Sequence, residues 1–134
     1  MILIPFFVLF ITEVLKVVIQ SIRQKKFEPA WFLHSGGMPS GHASFTSSIA
    51  TIVAYMQGYN SAEFLIAGGF AIIIMYDARG VRATVGKHAR TINKLWDKKT
   101  LDEYVGHTNW EVAIGCALGI SLSTVGIQVF ERLF

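Results

Sequence analysis

A chain of 134 residues has room for one domain. With 52% of its residues apolar, only 16% charged and a mean hydropathy of +0.47, it falls outside the ordinary soluble class, in which charged residues run to about 25%. One cysteine, Cys116, set in an apolar run, excludes a disulfide framework and a cysteine-based metal site. The pI of about 9.2 arises from grouped cations with few aromatics among them, so no nucleic-acid partner is expected.

In chain order, residues 1–22 are apolar as far as Ile11 and then carry Glu13, Lys16 and Gln20. No basic segment precedes the run and no small-residue cleavage site follows it, which argues against a cleaved signal peptide. At a rise of about 1.5 Å per residue this segment reaches roughly 30 Å, which predicts a first transmembrane helix. Residues 23–38 form a basic loop whose Trp31 and Phe32 suit an interfacial anchor. The loop runs into Ser35-Gly36-Gly37-Met38-Pro39-Ser40-Gly41-His42. Such a stretch exposes backbone N–H groups and then starts a helix, an arrangement suited to an anion and above all a phosphate.

Residues 43–59 are apolar but rich in Ala, Ser and Thr, which lets membrane helices approach closely and predicts a central second helix. The turn at 58–61 has no basic residue. Residues 62–77 form a third apolar segment containing Gly68-Gly69; it is short for a span unless it runs on into polar residues. Residues 78–110 are the longest polar stretch. Within it Val85, Ala89, Ile92 and Leu95 or Trp96 follow helical spacing beside Lys87, Arg90 and Lys94. That pattern predicts a basic amphipathic helix from about Thr84 to Trp96, lying on the membrane surface. The last apolar run, 110–130, carries Gly115 and Gly119 at GxxxG spacing, with Gly126 further on.

Ten of the twelve Lys and Arg fall in 23–42, with net charge +2 (three basic, one acidic), and in 78–110, with net charge +4 (seven basic, three acidic). The positive-inside rule then places both loops in the cytoplasm and both termini outside, in the cell membrane. The expected fold is an all-α integral membrane helical bundle, one domain over 1–134, with about four transmembrane helices plus a cytoplasmic amphipathic helix. So small a bundle, with polar loops and Gly-rich faces to cover, is expected to pair with a second copy as a homodimer.

The reactive residues converge on the basic side. Lys16 and Arg23, seven apart, share a helix face and can clamp a phosphate or simply snorkel at a helix end. His42, beside the anion loop, can donate a proton to a leaving group or bond to a neighbouring loop. Ser40 and Gly41 can offer amide donors, or Ser40 can be only an N-cap. His107 and Glu111, four apart, face the same way at the start of the last helix. Glu111 can therefore accept the Nδ1–H of His107 and leave Nε2 free to attack, or be an ordinary acid favoured by the helix dipole. Asp77, Arg79 and Arg82 end the third helix; either Arg can hold phosphate, with Asp77 orienting it. His34 and His88 complete the histidines. No pair has ligand spacing and the surrounding cations oppose a metal, so no metal or other cofactor is expected.

Taken together, Lys16-x6-Arg23, Pro39-Ser40-Gly41-His42 and Arg…His107-x3-Glu111 resemble the three-part signature of the type 2 phosphatidic acid phosphatases and vanadium haloperoxidases. More closely, 35–42, Tyr76-Asp-Ala-Arg-Gly-Val-Arg82 and Gly106-His-Thr-Asn-Trp-Glu111 resemble the divergent PAP2 membrane proteins, over nearly the whole chain. The resemblance implies a phosphate site built from helix ends and working without a metal. Lys16, Arg23, Ser40 and Gly41 would bind phosphate, His42 would protonate the leaving oxygen, and His107 would attack phosphorus, with Glu111 in place of the usual Asp. Gln24 stands where the pattern has Pro, and 24 residues separate Arg82 from His107. The rival match Arg82-x5-His88 puts Ile92 at the carboxylate position and is rejected. The function expected is hydrolysis of a lipid phosphomonoester or pyrophosphate through a phosphohistidine. The alternative is a non-catalytic lipid-phosphate binding, transport or assembly protein that retains the anion site.

Overall fold

The computed structural model describes residues 1–27, 29–32, 34, 36–96 and 100–133. Ser35, the first residue of the Gly-rich stretch, and Lys98 and Lys99 of the second basic loop lie outside them. Among the described residues there are five α-helices, one 3-10 turn and no strand. They are α1 (Ile4–Gln24), the turn Pro29–Phe32, α2 (Gly41–Gln57), α3 (Ala62–Arg79), α4 (Val81–Leu95) and α5 (Asn109–Leu133).

Local chemistry sets the helix ends. Pro5 occupies the first turn of α1, where its missing N–H costs nothing, and Lys25 ends the helix in the left-handed region at φ 53°. Ser40 and Ser61 cap α2 and α3, accepting the N–H of Ala43 and Phe64 at 3.3 and 3.1 Å. The third apolar segment does run on into polar residues. Gly80 breaks its backbone path with φ −92° and ψ −84°, and α4 begins one residue later. Three helical runs are long and apolar enough to cross a membrane: 4–24, 62–95 and 109–133. The fourth expected span, α2, has 17 residues, at the short end of what a bilayer core requires.

α2 is central, packed against α5, α3 and α1. Its buried residues are mostly small or hydroxylated: Gly41, Ala43, Ser44, Thr46, Ser47, Ser48 and Ala54. Large apolar side chains such as Phe6, Phe7, Phe10, Leu65, Ile66, Ile72 and Ile73 face outward. This inversion of the soluble pattern is what hydrocarbon solvent dictates. Lipid tails solvate Phe and Ile as well as a core does, so helices associate where small residues let backbones meet. The hydroxyls are satisfied locally. Thr46 donates to His42 O at 2.8 Å, Ser47 to Ala43 O at 2.7 Å and Thr51 to Ser47 O at 2.8 Å. Across the interface Ser123 Oγ donates to Ser48 Oγ at 2.6 Å.

Gly115 and Gly119 meet this face of α2 directly. A Cβ at Gly115 would collide with Ser40 O, and one at Gly119 with Ser44 O and Ser47 Oγ. Ser40 N–H also donates to Glu111 O at 3.1 Å, which joins the start of α2 to the first turn of α5. Replacing Gly119 with Leu is expected to force the two helices apart. It should destabilise the detergent-solubilised protein by about 1–3 kcal/mol or more, read as a fall in its thermal unfolding midpoint; an unchanged midpoint would contradict the close α2–α5 contact.

Candidate active site

His107 is delivered by the strap that links α4 to α5, and the sequence of α4 explains how. Asn93, 5% exposed on α4, spends its whole amide on the strap. Its Nδ2 donates to Leu101 O at 2.8 Å and Glu103 Oε1 at 2.9 Å, while its Oδ1 accepts from Thr100 N at 3.2 Å and Leu101 N at 3.0 Å. Arg90 pairs with Glu103 at 3.4 Å. Gly86 lets the strap carbonyl of Val105 lie against α4. Gly106, at φ +88°, turns the chain so tightly onto the backbone of Arg82 and Ala83 that no side chain would fit. His107 N–H then donates to Ala78 O at 2.9 Å.

The face of α4 that does this work is Gly86, Ala89 and Asn93. The predicted apolar stripe placed Ala89 with Val85 and Ile92; Ala89 instead belongs to the buried face. Val81, Val85, Ile92, Leu95 and Trp96 are exposed on the helix and its C-cap. Strap carbonyls and a buried amide outweigh apolar periodicity in choosing which face turns inward.

The His107 imidazole is 3% exposed. Its Nδ1 lies 3.1 Å from Gly37 O. A carbonyl can only accept, so Nδ1 carries the hydrogen and, in the neutral ring, Nε2 carries the lone pair. Nε2 is buried without a hydrogen-bond partner. Gly37 presents its carbonyl from a left-handed conformation, φ +96°, in which it sits on Gln20 and Lys16. The ring of His42, at the start of α2, meets that of His107 edge to face, with centroids 6.0 Å apart at 65°.

Glu111 follows the second of its two readings, an acid at the helix N-terminus, while lying at ion-pair distance from His107. Its Oε2 is 3.7 Å from His107 Nδ1, beyond hydrogen-bond range. It accepts the N–H of Thr108 at 2.8 Å, while Glu111 N–H donates to Thr108 Oγ1 at 3.3 Å. This is a capping box closing the first turn of α5. The tautomer expected of His107 is reached, with the loop carbonyl of Gly37 as its acceptor.

The cations divide into two groups. Lys16, 2% exposed, donates to His34 O at 3.0 Å and pairs with Glu13 at 2.6 Å. Arg82 Nε donates to Asp77 Oδ2 at 2.7 Å, which orients the guanidinium and leaves its terminal amino groups for another acceptor. Lys16, Arg82, Asp77 and His107 all lie within electrostatic reach of His42. Arg79 is exposed in the last turn of α3, and Arg23 is exposed near the end of α1, roughly 10 Å along the helix from Lys16. Ser40 is fully buried as an N-cap; the N–H groups of Gly41 and His42 are the two first-turn donors for which α2 itself has no acceptor.

Sequence reasoning missed several members of this setting. The pattern Thr108-x-x-Glu111 is a readable capping box. Asn93 and the Gly37 carbonyl leave no such signal, because what they do depends on distant backbone. Glu13 and Lys16, three apart on one apolar helix, form an ion pair of a kind that helical spacing allows. Asp102 accepts from Tyr104 N–H at 2.8 Å and faces His34 Nδ1 at 3.1 Å. Burial opposes its ionisation, yet Tyr104 and His34 together hold its carboxyl below the usual range. A cleft of about 330 Å³ adjoins the His107 setting, lined by Gln20, Trp31, Gly37, Lys87, Arg90 and Glu111 among others.

Asn93→Ala is expected to release the strap. It should cost about 1–3 kcal/mol for the groups left unsatisfied and speed amide hydrogen exchange at Thr100, Leu101 and His107, measured by mass spectrometry. Unchanged exchange there would show that the strap is held by something else.

A family model described as the divergent PAP2 family matches residues 1–122. A protein of Bacillus subtilis (strain 168), described as the uncharacterized membrane protein YuiD, is 35% identical over 133 residues, covering 84% of this chain and 84% of its own. No solved structure matches. The chain is a membrane protein and belongs to the divergent PAP2 family.

Proposed function

We propose that this protein is a membrane phosphatase acting on a lipid phosphomonoester or pyrophosphate. The observation that carries the reading is the His107 ring: its Nδ1–H is tied to Gly37 O, and its Nε2 is buried, unpartnered and beside His42. A nucleophile needs such a fixed tautomer and an uncommitted lone pair. In the proposed reaction Nε2 attacks phosphorus, and the bond from phosphorus to the lipid oxygen breaks as His42 gives that oxygen a proton. Water then attacks the phosphohistidine while His42 takes its proton, and the N–P bond breaks to release phosphate and restore both rings. Arg82, oriented by Asp77, and the first N–H groups of α2 would offset charge on the equatorial oxygens. Lys16 adds charge nearby; Arg79 and Arg23 would be limited to a surface role in drawing the headgroup in.

The lipid tail would remain in the bilayer, and the basic loops argue for a site on the cytoplasmic side. A homodimer belongs to the same proposal. On α3 a Cβ at Gly68 would only graze Phe64, and one at Gly69 would meet nothing within 4 Å, which leaves a face for a second copy.

Two observations count against a complete phosphate clamp and support a non-catalytic role in transport or assembly. Lys16 is already neutralised by Glu13, and Arg23 is exposed two turns further along α1. Release of phosphate from phosphatidic acid, phosphatidylglycerol phosphate and polyprenyl pyrophosphate by purified protein separates the readings. His107→Ala is expected to lower release by about a thousandfold or more and His42→Ala by about a hundredfold or more. Equal release by wild type and His107→Ala would sink the nucleophile assignment. Lipid-phosphate binding with no turnover by wild type would establish the alternative.

A further inference from the structure

Glu13 has no place in the proposed reaction, yet it sits at the proposed phosphate site. It lies eleven residues before the end of α1, within an apolar helix, where a carboxylate is costly and marks function by default. Its Oε2 is buried and 2.6 Å from Lys16 Nζ. Its Oε1 lies against Gly41, so closely that a Cβ there would collide with it. Gly41 is the first residue of α2, at the positive end of that helix. The carboxylate thus pairs with the ammonium of Lys16 and packs against the first residue of α2, beside two features that an incoming phosphate would use. Gly41 directly precedes His42, so these features lie at the same end of α2 as the proposed proton donor.

We infer that Glu13 is an internal competitor for the phosphate, an inference that rests on the reading proposed above. With the site empty, its carboxylate stands in for the anion and keeps Lys16 from being a lone buried charge, which would be strongly destabilising. On binding, the phosphate displaces it from Lys16 and from the first turn of α2. Glu13 thereby sets how tightly the site holds phosphate, weakening the grip on both the substrate and the phosphate product.

The test is isothermal titration of the full-length, detergent-solubilised protein with inorganic phosphate. Glu13→Gln removes the charge at nearly constant size and is expected to bind phosphate at least tenfold more tightly than wild type. Equal or weaker binding overturns the inference and makes Glu13 a residue that only positions Lys16. Because Gln leaves Lys16 unpaired, Glu13→Asp is the second variant, and it decides the matter if Glu13→Gln does not fold. Its shorter side chain draws the carboxylate back from Gly41 while keeping its charge near Lys16. Affinity between those expected for wild type and Glu13→Gln supports displacement; affinity at or below wild type overturns it. If wild type, Glu13→Gln and Glu13→Asp all fail to bind phosphate, the phosphate reading itself falls. If wild type binds, Arg82→Ala weakens that binding and neither Glu13 variant tightens it, the phosphate reading stands and only the role of Glu13 is lost.

Discussion

The hydrogen bond from His107 Nδ1–H to the carbonyl of Gly37 ties together the two halves of the candidate site. It brings a residue just before α5 against a loop before α2, seventy positions away in the chain. Each end of it requires its own support. On one side Gly37 must adopt a positive φ over Lys16 and Gln20. On the other, the strap must be clipped to α4 by Asn93 and turned onto Arg82–Ala83 at Gly106. The α2–α5 contact through Gly115 and Gly119 keeps the two halves at that separation. Without the hydrogen bond the ring could take either tautomer, and Nε2 would lose its defined character.

The bilayer explains why so many supports are backbone groups and small residues. In hydrocarbon, apolar bulk gives helices little reason to associate, while any unsatisfied polar group costs several kcal/mol or so. The bundle answers with a seam of Gly and Ser, in which hydroxyls bond to their own helix or to one another. Large apolar side chains are left facing outward. The polar groups concentrated at one end of this seam then stand out: Lys16 with Glu13, Arg82 with Asp77, and the two histidines. Each charge has a partner, as buried charges require. Among the described residues two buried side-chain atoms lack a hydrogen-bond partner: Glu13 Oε2, which is ion-paired with Lys16, and His107 Nε2, the atom the proposed chemistry would use.

Much of the fold was legible in the sequence, because hydropathy runs and capping residues act locally. The apolar segments become helices within a few residues of their expected ends, and the Ala/Ser/Thr-rich segment is the central one. The site was legible as a set of residues more than as a set of roles. Spacing leaves Glu111 either as the partner of His107 or as an acid at the helix start; the Thr108 N–H lies nearer and holds its carboxylate at the helix start. Lys16 and Arg23 share a helix side in spacing, yet one is buried and the other exposed. The neighbouring chain covers α1 at Lys16 and does not reach as far as Arg23. The face of α4 was misjudged at Ala89 because the strap it supports is polar, and no apolar periodicity encodes that.

The sequence by itself determined the bilayer class, the helices and their order, and the motifs that place the chain in the divergent PAP2 family. These follow from composition, short-range hydrogen bonding and spacing along one chain. The tertiary structure alone decided that Lys16 is buried while Arg23 is exposed, that the carbonyl of Gly37 meets His107 Nδ1, and that Glu13 reaches the start of α2. Such choices join groups far apart in the chain, which meet only once the helices have packed.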